Sequence, residues 1–303
     1  MSRYLNRIVA ILALLALGLP GTTASAQAQS ADTSCDRACL GDMVTGYVDA
    51  LLAHDPSTLP LASNVRVTEN GLDAEIGEGI WHSITGKGTF RHDYLDTARQ
   101  VAASHVHLME GDVPVLLSLA LHVEGDTITG VESVVHRVTP DSPFQPKVLD
   151  EPVRGMDSPV PAGQRMSRGD LVAVALSYAE GLRTGSFTDA GVPFADDAYR
   201  VENGVITAGQ GCAFGTCGLY DQRIMVHPGL IPSVVAVDEE NGTVLLWMNF
   251  GYTGSYGPDT VLVTFEAFKV WGGSVRSINA FFDFLPIGTP RRWPSADPVP
   301  RVY

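Results

Sequence analysis

Leu59-Pro60-Leu61-Ala62 is followed seven residues later by Glu69-Asn70-Gly71, and Val192-Pro193-Phe194-Ala195 by Glu202-Asn203-Gly204. Every position in the second set lies 133 residues after its counterpart. Upstream, Tyr47, Asp49 and Leu51 match Tyr178, Glu180 and Leu182 at a shift of 131, a difference that a two-residue change in one loop absorbs. Gly41-Asp42 and Gly169-Asp170 stand near the start of the two copies. A period this long suits a whole domain, not a solenoid unit, so the chain reads as two tandem copies of one fold.

Around these anchors each copy opens with an amphipathic helix. Leu40, Met43, Val44, Tyr47, Val48, Leu51 and Leu52 share one helical face in the first, and Leu171, Val174, Ala175, Tyr178 and Leu182 do so in the second. A short strand then runs to the Glu-Asn-Gly turn, where Asn and Gly tolerate left-handed backbone angles. Beyond it the apolar period becomes alternating. Strands are expected near 89–95, 101–110, 115–123 and 127–138 in copy one. In copy two they are expected near 223–227, 234–237, 244–252, 261–271 and 274–284. Helix first and meander afterwards implies an α+β class, with helices packed on a curved antiparallel sheet.

The flanks divide by composition. Arg3 and Arg7, the apolar run 8–19, a Pro20-Gly21 break and the small residues 24–28 read as a signal peptide over 1–28. Domains are then expected at 29–138 and 167–289. The six prolines within 139–166 mark a linker, and the four from Pro290 onward an extended tail at 290–303. Losing Arg3 and Arg7 takes the formal charge from −14 to −16. That argues against nucleic acid or an anionic membrane as partner. Cys35, Cys39, Cys212 and Cys217 are an even set in a secreted or periplasmic chain, hence two disulfides, with local and cross-domain pairings both open.

A lead helix, a short strand and a bent antiparallel meander resemble the NTF2-like superfamily. Cys35-Asp-Arg-Ala-Cys39, Ala53-His54-Asp55-Pro56, Thr68-Glu69-Asn70-Gly71 and Gly77-Glu78-Gly79-Ile80-Trp81 are similar to a SnoaL-like family of exported proteins. Pro193-Phe194-Ala195-Asp196-Asp197 and Glu202-Asn203-Gly204 carry the same likeness in copy two. The resemblance implies a pair of cone-shaped domains, in tandem or as a homodimer, packed through their sheets. It also implies either cofactor-independent acid–base chemistry (lyase, dehydratase, isomerase or hydrolase) on a small, fairly apolar, often aromatic substrate, or a binding module without catalysis. Fold alone does not choose between these.

The residue types for such chemistry concentrate in copy one. His105 and His107 alternate along one strand and so share a face; His92, Asp93 and Tyr94 lie on the strand before. Turned into the cone, the histidines would move a proton, Asp93 would orient an imidazole and Tyr94 would polarise a substrate oxygen. Turned outward they would do none of this. Trp81, His82 and Tyr47 are the expected substrate contacts. His105-x-His107 also has the spacing of two ligands of a strand-borne zinc site, which would need a third, such as His92, Asp93 or Glu110; short HxH strings are common by chance, and no metal and no other cofactor is expected. In copy two Tyr220, Asp221, Arg223 and His227 cluster near the Cys212/Cys217 loop, while Asn249, Tyr252 and Glu266 fall on strands. Glu266 is expected on the outer, exposed sheet face; only a buried Glu266 would act as acid or base.

Overall fold

The computed structural model describes residues 34–147, 149, 155–212 and 215–299, so the signal-peptide expectation lies outside them. Helix α1 (Arg37–Ala53) starts where the Asp36 carboxylate accepts the Cys39 amide, and it stops at His54 in a left-handed conformation. Helix α2 (Arg168–Thr184) is capped by Ser167 and ends at Gly185, with φ of 79°. Their apolar stripes, Leu40, Val44, Tyr47, Val48 and Leu51 in one and Leu171, Ala175, Tyr178 and Leu182 in the other, are buried.

Each helix covers a six-stranded sheet. The first is built from β1 (Leu61–Glu69), β2 (Leu72–Ala74), β3 (Gly86–Asp96), β4 (Val101–Glu110), β5 (Val113–Glu124) and β6 (Thr127–Arg137). The second contains β7 (Phe194–Glu202), β8 (Val205–Ala208), β9 (Ile231–Asp238), β10 (Thr243–Asn249), β11 (Thr260–Trp271) and β12 (Ser274–Pro286). Their orders, β2-β1-β6-β5-β4-β3 and β8-β7-β12-β11-β10-β9, are the same. In each, the strand before the Glu-Asn-Gly turn runs parallel to the last strand while its other neighbours are antiparallel. The α+β class and the duplication therefore hold, with mixed sheets where antiparallel ones were expected.

The repeated Asn does more than turn the chain. Asn70 and Asn203 both have positive φ. Asn70 accepts the Val135 amide and Asn203 the Phe282 amide, and each side-chain amide donates back to the carbonyl of the same residue. One side chain thus stitches the turn to the last strand in each copy, which sets the register of the parallel pair.

The sheets pack face to face through their sides away from the helices. Phe90, Tyr94, Ala103, Leu116 and Val134 meet Val235, Leu245, Trp247, Phe265 and Phe281 in one apolar layer. Two reciprocal ion pairs close its rim. Arg37, at the start of α1, grips the buried Asp238 at the end of β9 at 2.6 and 2.8 Å; Arg168, at the start of α2, grips the buried Asp96 at the end of β3 at 2.9 and 2.6 Å. Asp238 also accepts the Leu95 amide and Asp96 the Val237 amide. Contacts that exchange one repeat for the other in this way have the form of an isologous interface.

Three expectations need correction. Residues 223–227 are loop, and β10 stops at Asn249, where the Asn249 side chain bonds the Gly251 amide and the Thr289 carbonyl. The tail is a strap across both repeats, not a free arm. Arg291 pairs with the buried Glu132 and with Ser233. Trp293 stacks on His122 at 4.3 Å and donates to Thr68. Ser295 accepts the Val234 amide. Both disulfides are local, Cys35–Cys39 and Cys212–Cys217, with Cα separations of 5.3 and 5.7 Å; such bonds fit an oxidising compartment. No helix among the described residues is long and apolar enough to cross a membrane.

Candidate active site

Alternation along β7 decides where polar chemistry lies in the second repeat. Tyr199 and Val201 point into the sheet-to-sheet layer, so Arg200 and Glu202 point to the helix side. On β11 the same rule sends Phe265 and Ala267 to the layer and Glu266 to the helix side. Arg200 and Glu202 line a cavity of about 630 Å³ whose other walls include Phe144, Leu182, Thr207, Gln222, Arg223, Ile224, His227 and Tyr256. Its rim includes Gly215 and Thr216 from the loop closed by Cys212–Cys217.

The Arg200 guanidinium organises this floor. It donates to Thr207 Oγ1, Tyr178 Oη and Gln222 Oε1, each at 2.9 Å, and lies 3.2 Å from Glu202. Gln222 is held in turn by the Thr207 and Thr216 carbonyls. Beneath, Glu266 is 2 % exposed, and its Oε1 has no hydrogen-bond partner among the described residues. Burial raises its pKa to about 8, with the Glu202 charge adding to the rise while Arg200 and a hydrogen bond to Tyr178 oppose it. Desolvation also raises the Tyr178 hydroxyl well above its ordinary range. At the mouth, Tyr256 Oη and His227 Nε2 are 3.1 Å apart, and desolvation lowers the histidine's pKa. Arg200 lines the cavity, whereas Glu266 and Tyr178 do not; a carboxyl group that is neutral near pH 7 can give or take a proton only where a bound molecule or a water reaches it.

A family model described as a domain of unknown function (DUF8021) matches residues 164–282, from just before α2 into β12. No curated protein matches the chain. Among solved structures, a candidate ketosteroid isomerase from Kribbella flavida is similar at a TM-score of 0.29 and 16 % identity, over 38 % of this chain and 95 % of that one.

The histidines of β3 and β4 and Tyr94, expected to act in copy one, lie on the other side of their sheet. His92, Tyr94 and His105 do come together, with the Tyr94 hydroxyl 3.0 Å from His105 Nδ1 and the His92 and Tyr94 rings 5.0 Å apart. They sit in the sheet-to-sheet layer, where Asn279 reaches His105 at 3.1 Å and Phe281 stacks on it. His105 is fully buried, and desolvation lowers its pKa to about 3. Asp93 does not orient an imidazole; it faces the helix side and binds Arg91 and Ser104. His107 shares the face of His105 and packs so tightly over Gly88 that a side chain there would meet its ring. Trp81 and Tyr47 are buried edge to face at 5.4 Å in the apolar core under α1, and His82 is exposed beside Glu78. No three His, Cys, Asp or Glu side chains among the described residues are grouped to hold a metal.

In copy two the expectation for Glu266 is reversed: it is buried, not exposed. His227 and Arg223 do line the cavity, whereas Tyr220 bonds the Phe194 amide and the Val192 carbonyl. Sequence reasoning missed Arg200, Glu202, Tyr178, Thr207 and Gln222 as a site. The available signal was Arg200-Val-Glu202, two charges on one face of a strand whose parallel partner, β12, is largely apolar.

Proposed function

We propose that this protein is an exported, cofactor-independent acid–base enzyme of NTF2-like type, a lyase, dehydratase, isomerase or hydrolase acting on a small, fairly apolar substrate in the pocket of the second repeat. The observation that carries the reading is the buried, unpartnered Oε1 of Glu266 behind the Arg200–Tyr178 pair. With a pKa of about 8, about a tenth of Glu266 is ionised at pH 7, enough for a base that is regenerated at each turnover. The ionised fraction would take a proton from a carbon next to a carbonyl. Returned to another carbon, that proton completes an isomerisation; given to a leaving hydroxyl, it completes a dehydration. The Arg200 guanidinium, which lines the cavity, would stabilise charge developing on the substrate oxygen.

The test is deuterium uptake from D2O into enolisable ketones and β-hydroxy acids, followed by NMR, for the mature chain, Glu266→Gln and His105→Gln. Exchange should vanish in Glu266→Gln while its melting temperature does not fall, and persist in folded His105→Gln. Exchange that survives in Glu266→Gln would overturn the assignment. The second reading, a non-catalytic small-molecule or protein-binding module, is favoured by one feature: Arg200 is already engaged by Thr207, Tyr178, Gln222 and Glu202. The sheet-to-sheet pair is then read as an internal substitute for a homodimer.

A further inference from the structure

The pocket of the second repeat runs against the charge of the chain that holds it. The chain carries −14, yet the pocket walls bring two guanidiniums, Arg200 and Arg223, together with one carboxylate, Glu202. Glu266 beneath them adds no charge near neutral pH, and desolvation likewise favours neutral His227. Arg223 is exposed at the rim and makes no ion pair among the described residues. Two other cavities are built differently. One sets Arg276 against Asp196 and Asp197; in the other the charge of Arg291 is matched by buried Glu132.

Beside the polar Thr207, Thr216, Gln222 and His227, the wall has an apolar part: Phe144 from the segment joining the repeats, Leu182 from α2, Ile224, Met225 and the ring of Tyr256. A cavity of about 630 Å³ is ample for a small molecule of one or two rings. An unpaired guanidinium fork at the mouth matches a planar carboxylate. We infer that the ligand of this pocket is a small monocarboxylate with an apolar or aromatic body, its carboxylate on Arg223 and its body against Phe144, Leu182, Ile224 and Tyr256. The inference rests on the reading that this cavity is the substrate site.

Calorimetric titration of the intact mature chain at pH 7 tests both. Benzoate, cinnamate and indole-3-acetate would be compared with their three amides. The acids should bind about tenfold more tightly than the amides, with affinity falling as salt rises. Arg223→Gln should cost the acids about three- to fivefold, the worth of one solvent-exposed ion pair, and leave the amides unchanged. A Cβ at Gly215 meets open space, so Gly215→Trp should fold normally, fill the mouth and abolish binding of both series. Amides that bind as tightly as acids would overturn the carboxylate assignment and leave the pocket standing. If neither series binds, or Gly215→Trp does not disturb binding, the substrate-site reading falls and the inference with it.

Discussion

The two repeats place two buried titratable side chains, His105 and Glu266, on opposite sides of matching sheets. The Asn-Gly clamps and strand registers put Glu266 where copy one has Leu119, and Arg200 where it has Val67. On the helix side, copy one therefore has an apolar core with Tyr47 against Trp81 and Leu119 in the place of Glu266, while Glu69, the counterpart of Glu202, is held by the Ile80 amide. Copy two has Tyr178 joined to Arg200 above a buried acid. On the opposite face the pattern inverts: His105 in copy one occupies the register of Trp247 in copy two. The duplication thus keeps one backbone and divides the labour. On the helix side, copy two buries Glu266 at a position where copy one has Leu119, at a cost in stability once the carboxyl group ionises.

The division should appear most strongly in stability against pH, because the two buried groups are shifted in opposite directions. Glu266 is raised from 4.5 to about 8, so its contribution is complete below about pH 4.5 and is lost as pH climbs to about 8. His105 is lowered from 6.5 to about 3, so its contribution is complete above about pH 6.5 and is lost as pH falls toward 3. At about 1.4 kcal/mol per unit the ceiling for each is about 5 kcal/mol. Denaturant unfolding from pH 3 to 9 should show Glu266→Gln losing the alkaline slope and His105→Gln losing the acid slope. Curves parallel to the parent in either variant would break the contrast for that repeat.

How much of this was legible follows from what a periodicity can encode. The duplication, the lead helices and most strands were readable because Tyr47/Tyr178 and Asn70/Asn203 keep their spacing. Alternation also gives which residues of one strand share a face: His105 with His107, and His92 with Tyr94 but not with Asp93. It does not say which face meets the helix, since the sheets of both copies are buried on two sides and Val, Leu and Ala serve equally well on either. That one missing bit placed the histidines in the expected pocket and Glu266 on the expected surface. The strap at 290–299 was illegible for another reason: Arg291 and Trp293 pack through long-range contacts with Glu132 and His122 that no local pattern announces.

The reciprocal ion pairs sharpen the comparison at the next level of energy. Asp96 and Asp238 are both fully buried, so removing either arginine leaves a charge without its partner. The pairs are not equal. The Arg168 side chain is 16 % exposed and also holds Asp297 of the strap, whereas that of Arg37 is 34 % exposed and serves Asp238 alone. Arg168→Ala should cost about 3–5 kcal/mol, the range for breaking a buried pair. Arg37→Ala should cost about 1 kcal/mol, because water can reach the site it vacates. Equal losses in denaturant unfolding would mean that the strap contributes nothing to the second pair.

The smallest difference concerns the shared Glu-Asn-Gly turn itself. Asn203 is fully buried, with side-chain bonds of 2.9 and 3.0 Å to Phe282; Asn70 is only half-buried, and its two bonds to Val135 are 2.8 and 3.5 Å. Alanine at either position must adopt a positive φ, at a cost of about 1 kcal/mol common to both. Beyond that, Asn203→Ala strands a buried amide and carbonyl of Phe282, while Asn70→Ala loses one good bond and a stretched one. The expected totals are about 3 and 2 kcal/mol, a gap that paired denaturant titrations resolve. If the gap is present, the turn is held harder where the site is, since Glu202 of the pocket immediately precedes Asn203 and shares its fixed backbone. An equal cost would mean that the clamp is purely architectural, inherited alike by both copies and indifferent to which of them carries the acid.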